Sequence, residues 1–196
     1  MKLMAIAAVA GFAGLATASP FISTTTTSTE NASAPAGAVQ TVTVDISGVN
    51  SWDFQGASVN EIISVNIGGD FLVTGIGWDV NLSTIGASWL SETTLGFLDS
   101  GIGLQVTPGI GDDFTGSASY SSGGILDLAA ADPTFPFSAG ADGIVQIEVF
   151  ESFDDVSGAI DNVFGAGSTL QIQFVPAPGA LAMLGLGGLV AGRRRR

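Results

Sequence analysis

The chain of 196 residues has no cysteine and no histidine, and its only basic side chains are Lys2 and Arg193 to Arg196 at the two ends. Each absence removes a class of chemistry. Without Cys there are no disulfides and no thiol nucleophile, although a domain of this length buries enough apolar surface to fold without cross-links. Without His or Cys, zinc centres lack their usual ligands, and Ser-His-Asp and Cys-His systems lack their base. With neither Lys nor Arg in the body, a nucleic-acid backbone has nothing to neutralise it, so no nucleic-acid partner is expected. Carboxylates alone remain for acid–base work and oxygen atoms alone for metals, and calcium is the metal that suits such a set. All eighteen Asp and Glu lie between Leu3 and Gly192, so a product trimmed at both ends carries them against no basic side chain. Such a body forms no side-chain salt bridge and repels itself and other anions.

What is present begins with two ends that read as addresses. In "MKLMAIAAVAGFAGLATASP", Lys2 supplies a positive start and Leu3 to Leu15 a short apolar core. Ala16, Thr17 and Ala18 then place small residues where signal peptidase reads, giving an expected signal peptide over residues 1–18 with cleavage before Ser19. Residues 19–37 are rich in Ser, Thr and Ala without sustained periodicity and read as a disordered spacer. At the other end, Gly179 to Gly192 is a continuous run of apolar and small residues, followed at once by Arg193, Arg194, Arg195 and Arg196. As a helix it spans about 21–24 Å, short of the usual bilayer core, and snorkelling arginines with local thinning cover the difference. Arginines beside such a helix stay in the cytoplasm. The expected topology is a body outside, one transmembrane helix in the inner membrane, and an Arg cluster inside that locks the orientation.

The order of "VPAP" (Val175, Pro176, Ala177, Pro178), a Gly/Ala/Leu helix and terminal arginines resembles the PEP-CTERM sorting tail of Gram-negative bacteria. The resemblance covers residues 175–196 and departs at one position, where Ala177 stands in place of the motif's central Glu. It implies export, recognition and removal of the tail by an exosortase, and a destination at the cell surface or in an extracellular polysaccharide and biofilm matrix. The stretch Val73 to Asp99 is also similar to the bodies of other proteins sorted by this tail, which are jelly-roll domains distantly like the P-domain of proprotein convertases.

Between residues 38 and 174 the dominant signal is alternation. Val42, Val44 and Ile46 share a phase, as do Ile63, Val65 and Ile67. Leu72, Ile76, Trp78, Val80 and Leu82 form the longest run, broken at Thr74. Trp89, Leu95 and Phe97 follow, then Ile102, Leu104 and Val106, then Val145, Ile147 and Val149, and last Leu170, Ile172 and Phe174. Seven or eight strands punctuated by Gly, Pro, Asn and Asp predict an all-β fold, a β-sandwich of jelly-roll type with an immunoglobulin-like sandwich as the alternative. One short helix is expected over Asp154 to Phe164.

Three clusters in the body are candidates for chemistry. Asp112 and Asp113, adjacent among glycines, have the composition of a calcium loop without its motif, and acids beside Gly are also common in plain turns. Glu148, Glu151, Asp154 and Asp155 form an acidic stretch, but the odd separation of Glu148 and Glu151 puts those two on opposite faces of a strand, a poor pair for a glycosidase. Among the aromatics, Trp78 and Trp89 fall in apolar phases and are assigned to the core, while Trp52 is the better surface candidate for stacking on a sugar. The sequence therefore predicts a non-enzymatic exported protein of the surface or matrix, with signal peptidase, an exosortase-like enzyme, the inner membrane and extracellular polysaccharide as its partners. The alternatives are a calcium-dependent carbohydrate-binding module and a carboxylate-dependent glycosidase.

Overall fold

The computed structural model of the protein describes residues 21–22, 37–155 and 157–176. The expected signal peptide with Ala16, Ala18 and Ser19, most of the spacer, and the tail from Ala177 and Pro178 to Arg193–Arg196 lie outside the described residues. Among the described residues no helix is long and apolar enough to cross a membrane.

The strands run in chain order as β1 (Phe21–Ile22), β2 (Gln40–Asp45), β3 (Asn50–Ser51), β4 (Glu61–Asn66), β5 (Leu72–Thr84), β6 (Thr93–Phe97) and β7 (Gln105–Val106). They continue as β8 (Ser117–Ser121), β9 (Leu126–Asp127), β10 (Phe137–Ser138), β11 (Ile144–Glu151), β12 (Asn162–Phe164) and β13 (Thr169–Val175). Seven are five residues or longer, the number that alternation had led us to expect; the rest are brief pairings inside loops. They make two sheets, β1-β4-β11-β6-β7 and β2-β13-β5-β12-β3, antiparallel throughout except where β1 joins β4. The thirteen-residue β5 is the spine of the second sheet. β13 and then β12 line one of its edges, and β10, β9 and β8 share the other. The fold is all-β and sandwich-like.

The core is built from the alternating sets. Val42, Val44, Ile63, Val65, Val145, Ile147, Val149, Leu170 and Ile172 are all buried in one continuous cluster. Each such side chain contributes about 1.5–3 kcal/mol of transfer free energy. The break at Thr74 is a β-bulge. Opposite it the register of β13 shifts between Gln173 and Phe174, so Val73 turns into the core and Leu72 is left exposed. Gly75 and Gly77 sit on the outward side of β5, where the 124–126 segment lies so close that a Cβ on Gly75 would fall 2.5 Å from the Ile125 side chain and one on Gly77 2.8 Å from the Gly124 carbonyl oxygen.

Two local expectations differ from the structure. Among the described residues of Asp154 to Phe164 no helix forms: turns pass through Gly158, whose φ is +75°, and Asn162–Phe164 becomes β12. Pairing to β5 and β3 outweighs a weak local helix preference there. A single helical turn, α1 (Leu128–Ala131), forms instead, capped by Asp127 accepting from the Ala129 and Ala130 N–H groups. In the Ile102–Val106 stretch only Gln105 and Val106 pair, and Ile102 is exposed.

Candidate functional site

At one end of the sandwich three connections converge: residues 85–92 between β5 and β6, 107–116 between β7 and β8, and 152–161 between β11 and β12. Their anchors are backbone hydrogen bonds. Ile85 N–H donates to the Asp161 carbonyl (2.7 Å), Leu90 N–H to Phe114 (3.1 Å) and Ser152 N–H to Glu92 (2.9 Å). Leu90 is fully buried and pins the first connection into the core. Gly109 makes the second fit, because a Cβ there would lie 2.3 Å from the Leu90 carbonyl oxygen. Leu90 turns inward and its neighbour Trp89 outward. It is 44% exposed, which corrects the assignment of Trp89 to the core; Trp78 does pack against the core.

Between the connections lies a cleft of about 730 Å³ whose walls include Trp89, Ile110 and Phe153, with Glu92, Asp113 and Asp155 among them. Ile110 and Phe153 are 81% and 58% exposed. Apolar side chains as exposed as these are open to a ligand, and the carboxylates beside them accept hydrogen bonds from hydroxyl groups. Glu92 is built into the wall: its Oε2 accepts from Trp89 N–H at 2.7 Å. Burial raises the Glu92 carboxyl above the ordinary range, the Trp89 bond opposes the rise, and the charges of Asp155 and Asp113 add to it.

Behind the cleft, at the inner end of the two sheets, is a layer of buried polar groups. Glu151 is fully buried, and its Oε1 accepts from the Thr93 hydroxyl (3.0 Å) and from Asn162 Nδ2 (3.1 Å). Ser51 Oγ is 3.4 Å from Thr93 Oγ1, and Ser88 donates to Asp161 Oδ1 at 3.0 Å. Burial pushes the Glu151 carboxyl up to about 7 against the opposing hydrogen bonds of Ser51, Asn162 and Thr93, with the Asp161 charge adding to the rise. Asp161 is likewise raised, to about 6, mainly by burial.

Asp112 and Asp113, the candidate calcium-loop acids, face different partners. Asp112 Oδ2 accepts from the Tyr120 hydroxyl at 2.7 Å, while Asp113 Oδ1 accepts from Ser91 at 2.7 Å and borders the cleft. Burial, helped by Asp112, drives the Tyr120 phenol up to about 12. Trp52 is half-buried away from the cleft, its indole N–H donating to Glu61 Oε1 at 3.3 Å. Glu148 accepts from Gly56 N–H (2.6 Å) and Asn60 Nδ2 (2.7 Å), fastening the loop after β3, so Glu148 and Glu151 serve different faces as their spacing requires. Val175 ends β13 opposite Leu72, and Pro176 after it is buried.

Sequence reasoning missed Trp89, Glu92, Ile110, Phe153 and Asp155 as neighbours. No local signal marked them, because residues 87–92 form a connection and the period-two phase of Leu95 and Phe97 does not extend back to Trp89. Comparison of the chain with family models, with curated proteins and with solved structures finds no match.

Proposed function

We propose that this is an exported, non-enzymatic protein of the cell surface or extracellular matrix, sorted by its C-terminal tail, whose jelly-roll-like body binds neutral polysaccharide in the cleft of Trp89 and Phe153. The observation that carries the reading is the cleft: exposed aromatic rings beside carboxylate acceptors, on a body that has no His, Cys or Lys to act as nucleophile or base. Rings stack on the apolar faces of sugars while Glu92, Asp113 and Asp155 accept from their hydroxyls. Eighteen acids without a basic side chain in the body repel anionic polymers, so the partner is uncharged.

Affinity electrophoresis of the secreted protein through gels containing neutral or anionic matrix polysaccharide tests this. Retardation by the neutral polymer alone, lost in Trp89→Ala and Phe153→Ala, is the expected result. Equal mobility in every gel refutes it. The raised Glu92 carboxyl beside two other acids favours glycoside hydrolysis as the second reading, and release of reducing sugar that disappears in Glu92→Gln distinguishes it.

A further inference from the structure

Three carboxylates, Glu92, Asp113 and Asp155, line the cleft of Trp89 and Phe153, and no Lys, Arg or His stands anywhere in the body to neutralise them. Glu92 is the one built into the fold. It is only 6% exposed; its Oε2 takes the Trp89 N–H at 2.7 Å, and its Oε1 has no hydrogen-bond partner among the described residues. Burial, and after it the charges of Asp155 and Asp113, hold this carboxyl above its ordinary range against the Trp89 bond. A carboxylate so buried is costly until a positive charge answers it. Beside it Trp89 and Phe153 are exposed. Aromatic rings attract cations through the negative face of the ring, and Trp does so best. A sugar hydroxyl offers one hydrogen and no charge, so it leaves the deficit standing. A protonated amino group supplies three N–H donors and the charge as well.

We propose that the sugar unit seated in this cleft carries a protonated amino group, on a polysaccharide that is otherwise uncharged. Glu92 Oε1 accepts from the ammonium group, and the Trp89 and Phe153 rings supply the aromatic surface that favours it. Asp113 and Asp155 add negative potential at the mouth and need not meet the same atom. Glu92 does most of the selecting, because a charge withdrawn from water is screened least. The inference rests on the polysaccharide reading above and narrows it to sugars that bear an amine. Anionic polymers stay excluded by the same charge.

The test titrates the secreted protein calorimetrically with three β-1,4-linked tetrasaccharides, of glucosamine, of N-acetylglucosamine and of glucose, at pH 6 and low salt. They share length and linkage and differ only in the group at C2. The glucosamine tetramer binds about tenfold more tightly than the other two, or better. Raising NaCl to 0.5 M erodes that advantage and leaves the affinity for the glucose tetramer unchanged. Glu92→Gln and Asp113→Asn each reduce the advantage, and either one alone decides the matter if the other does not fold. Asp79→Asn, at an exposed position of β5 outside the cleft, keeps it. Trp89→Ala weakens all three tetramers. Equal affinity for the three overturns the amine proposal and leaves the polysaccharide reading standing, whereas no binding of any tetramer removes both. An advantage that survives both Glu92→Gln and Asp113→Asn, or that falls as far in Asp79→Asn, marks general attraction to an acidic body and overturns the proposal too.

Discussion

Glu151 makes the stability of this protein depend on pH in a direction opposite to that of most acidic proteins. Its carboxyl is pushed from an ordinary 4.5 to about 7 in the folded chain, chiefly by burial. Between those two values the unfolded chain has released the proton and the folded chain retains it, so folding becomes less favourable as pH rises through the window. The full penalty is reached above pH 7. At 1.36 kcal/mol per pH unit it comes to about 3 kcal/mol, a large share of the 5–15 kcal/mol that holds a domain together. Asp161, raised to about 6, adds in the same direction. Glu151→Gln keeps an acceptor for Thr93 and Asn162 and removes the ionisation. In EDTA, the substituted protein matches the wild type near pH 5 and exceeds it by about 3 kcal/mol at pH 8. Urea unfolding at pH 5, 6, 7 and 8, followed by tryptophan fluorescence, measures both curves. A wild-type stability that is flat or rising from pH 5 to 8 refutes the reasoning, and so does a Gln variant that is weaker at both ends.

Gly109→Ala forces a methyl group into the Leu90 carbonyl at 2.3 Å and should lower Tm, read by differential scanning calorimetry. Phe164, fully buried at the start of the polar end, should cost about 3–5 kcal/mol on substitution by Ala, read as a lower urea midpoint with an unchanged slope. Trp89→Ala should leave stability within about 0.5 kcal/mol, because the ring is largely at the surface, so that any loss of glycan retention reports the cleft and not the fold.

The strands were legible because both faces of the sandwich obey a period of two: Val145, Ile147 and Val149, or Leu170, Ile172 and Phe174, can only be strands with one face buried. Glu151 continues the phase of Val149 two residues on, so a carboxylate inside the core was also readable. What its neighbours would be was not. Asn162 reaches it through β12, which local preference had assigned to a helix, and Asp161 and Ser88 come from separate connections. The cleft was hidden for the same reason. Its walls come from residues 87–92, 110–113 and 152–155, brought together by sheet topology, and no motif spans them. Trp52 and Trp89 show how weak the local signal is: the tryptophan that looked superficial has its N–H tied to Glu61, and the one that looked buried faces the cleft.

The tail and the body are coupled at Val175 and Pro176. Val175 is the last residue of β13, paired with Leu72, and the Pro176 ring is buried behind it, so half of the VPAP stretch belongs to the folded domain. A processing enzyme needs an extended, accessible segment, and a residue held in a sheet is not one. On the proposed sorting route, only Ala177 and Pro178 separate Pro176 from the apolar run that begins at Gly179. Two residues reach at most about 7 Å, so on that route the sandwich would sit against the membrane surface until the tail is cut. Cleavage that spares the fold must then fall after Pro176. Intact mass of the secreted protein should show a species that retains Val175 and Pro176 and lacks Arg193 to Arg196. A secreted species ending at Phe174 or earlier would mean that the last strand frays before processing, and a membrane species still carrying Arg196 as the sole product would make the tail an anchor.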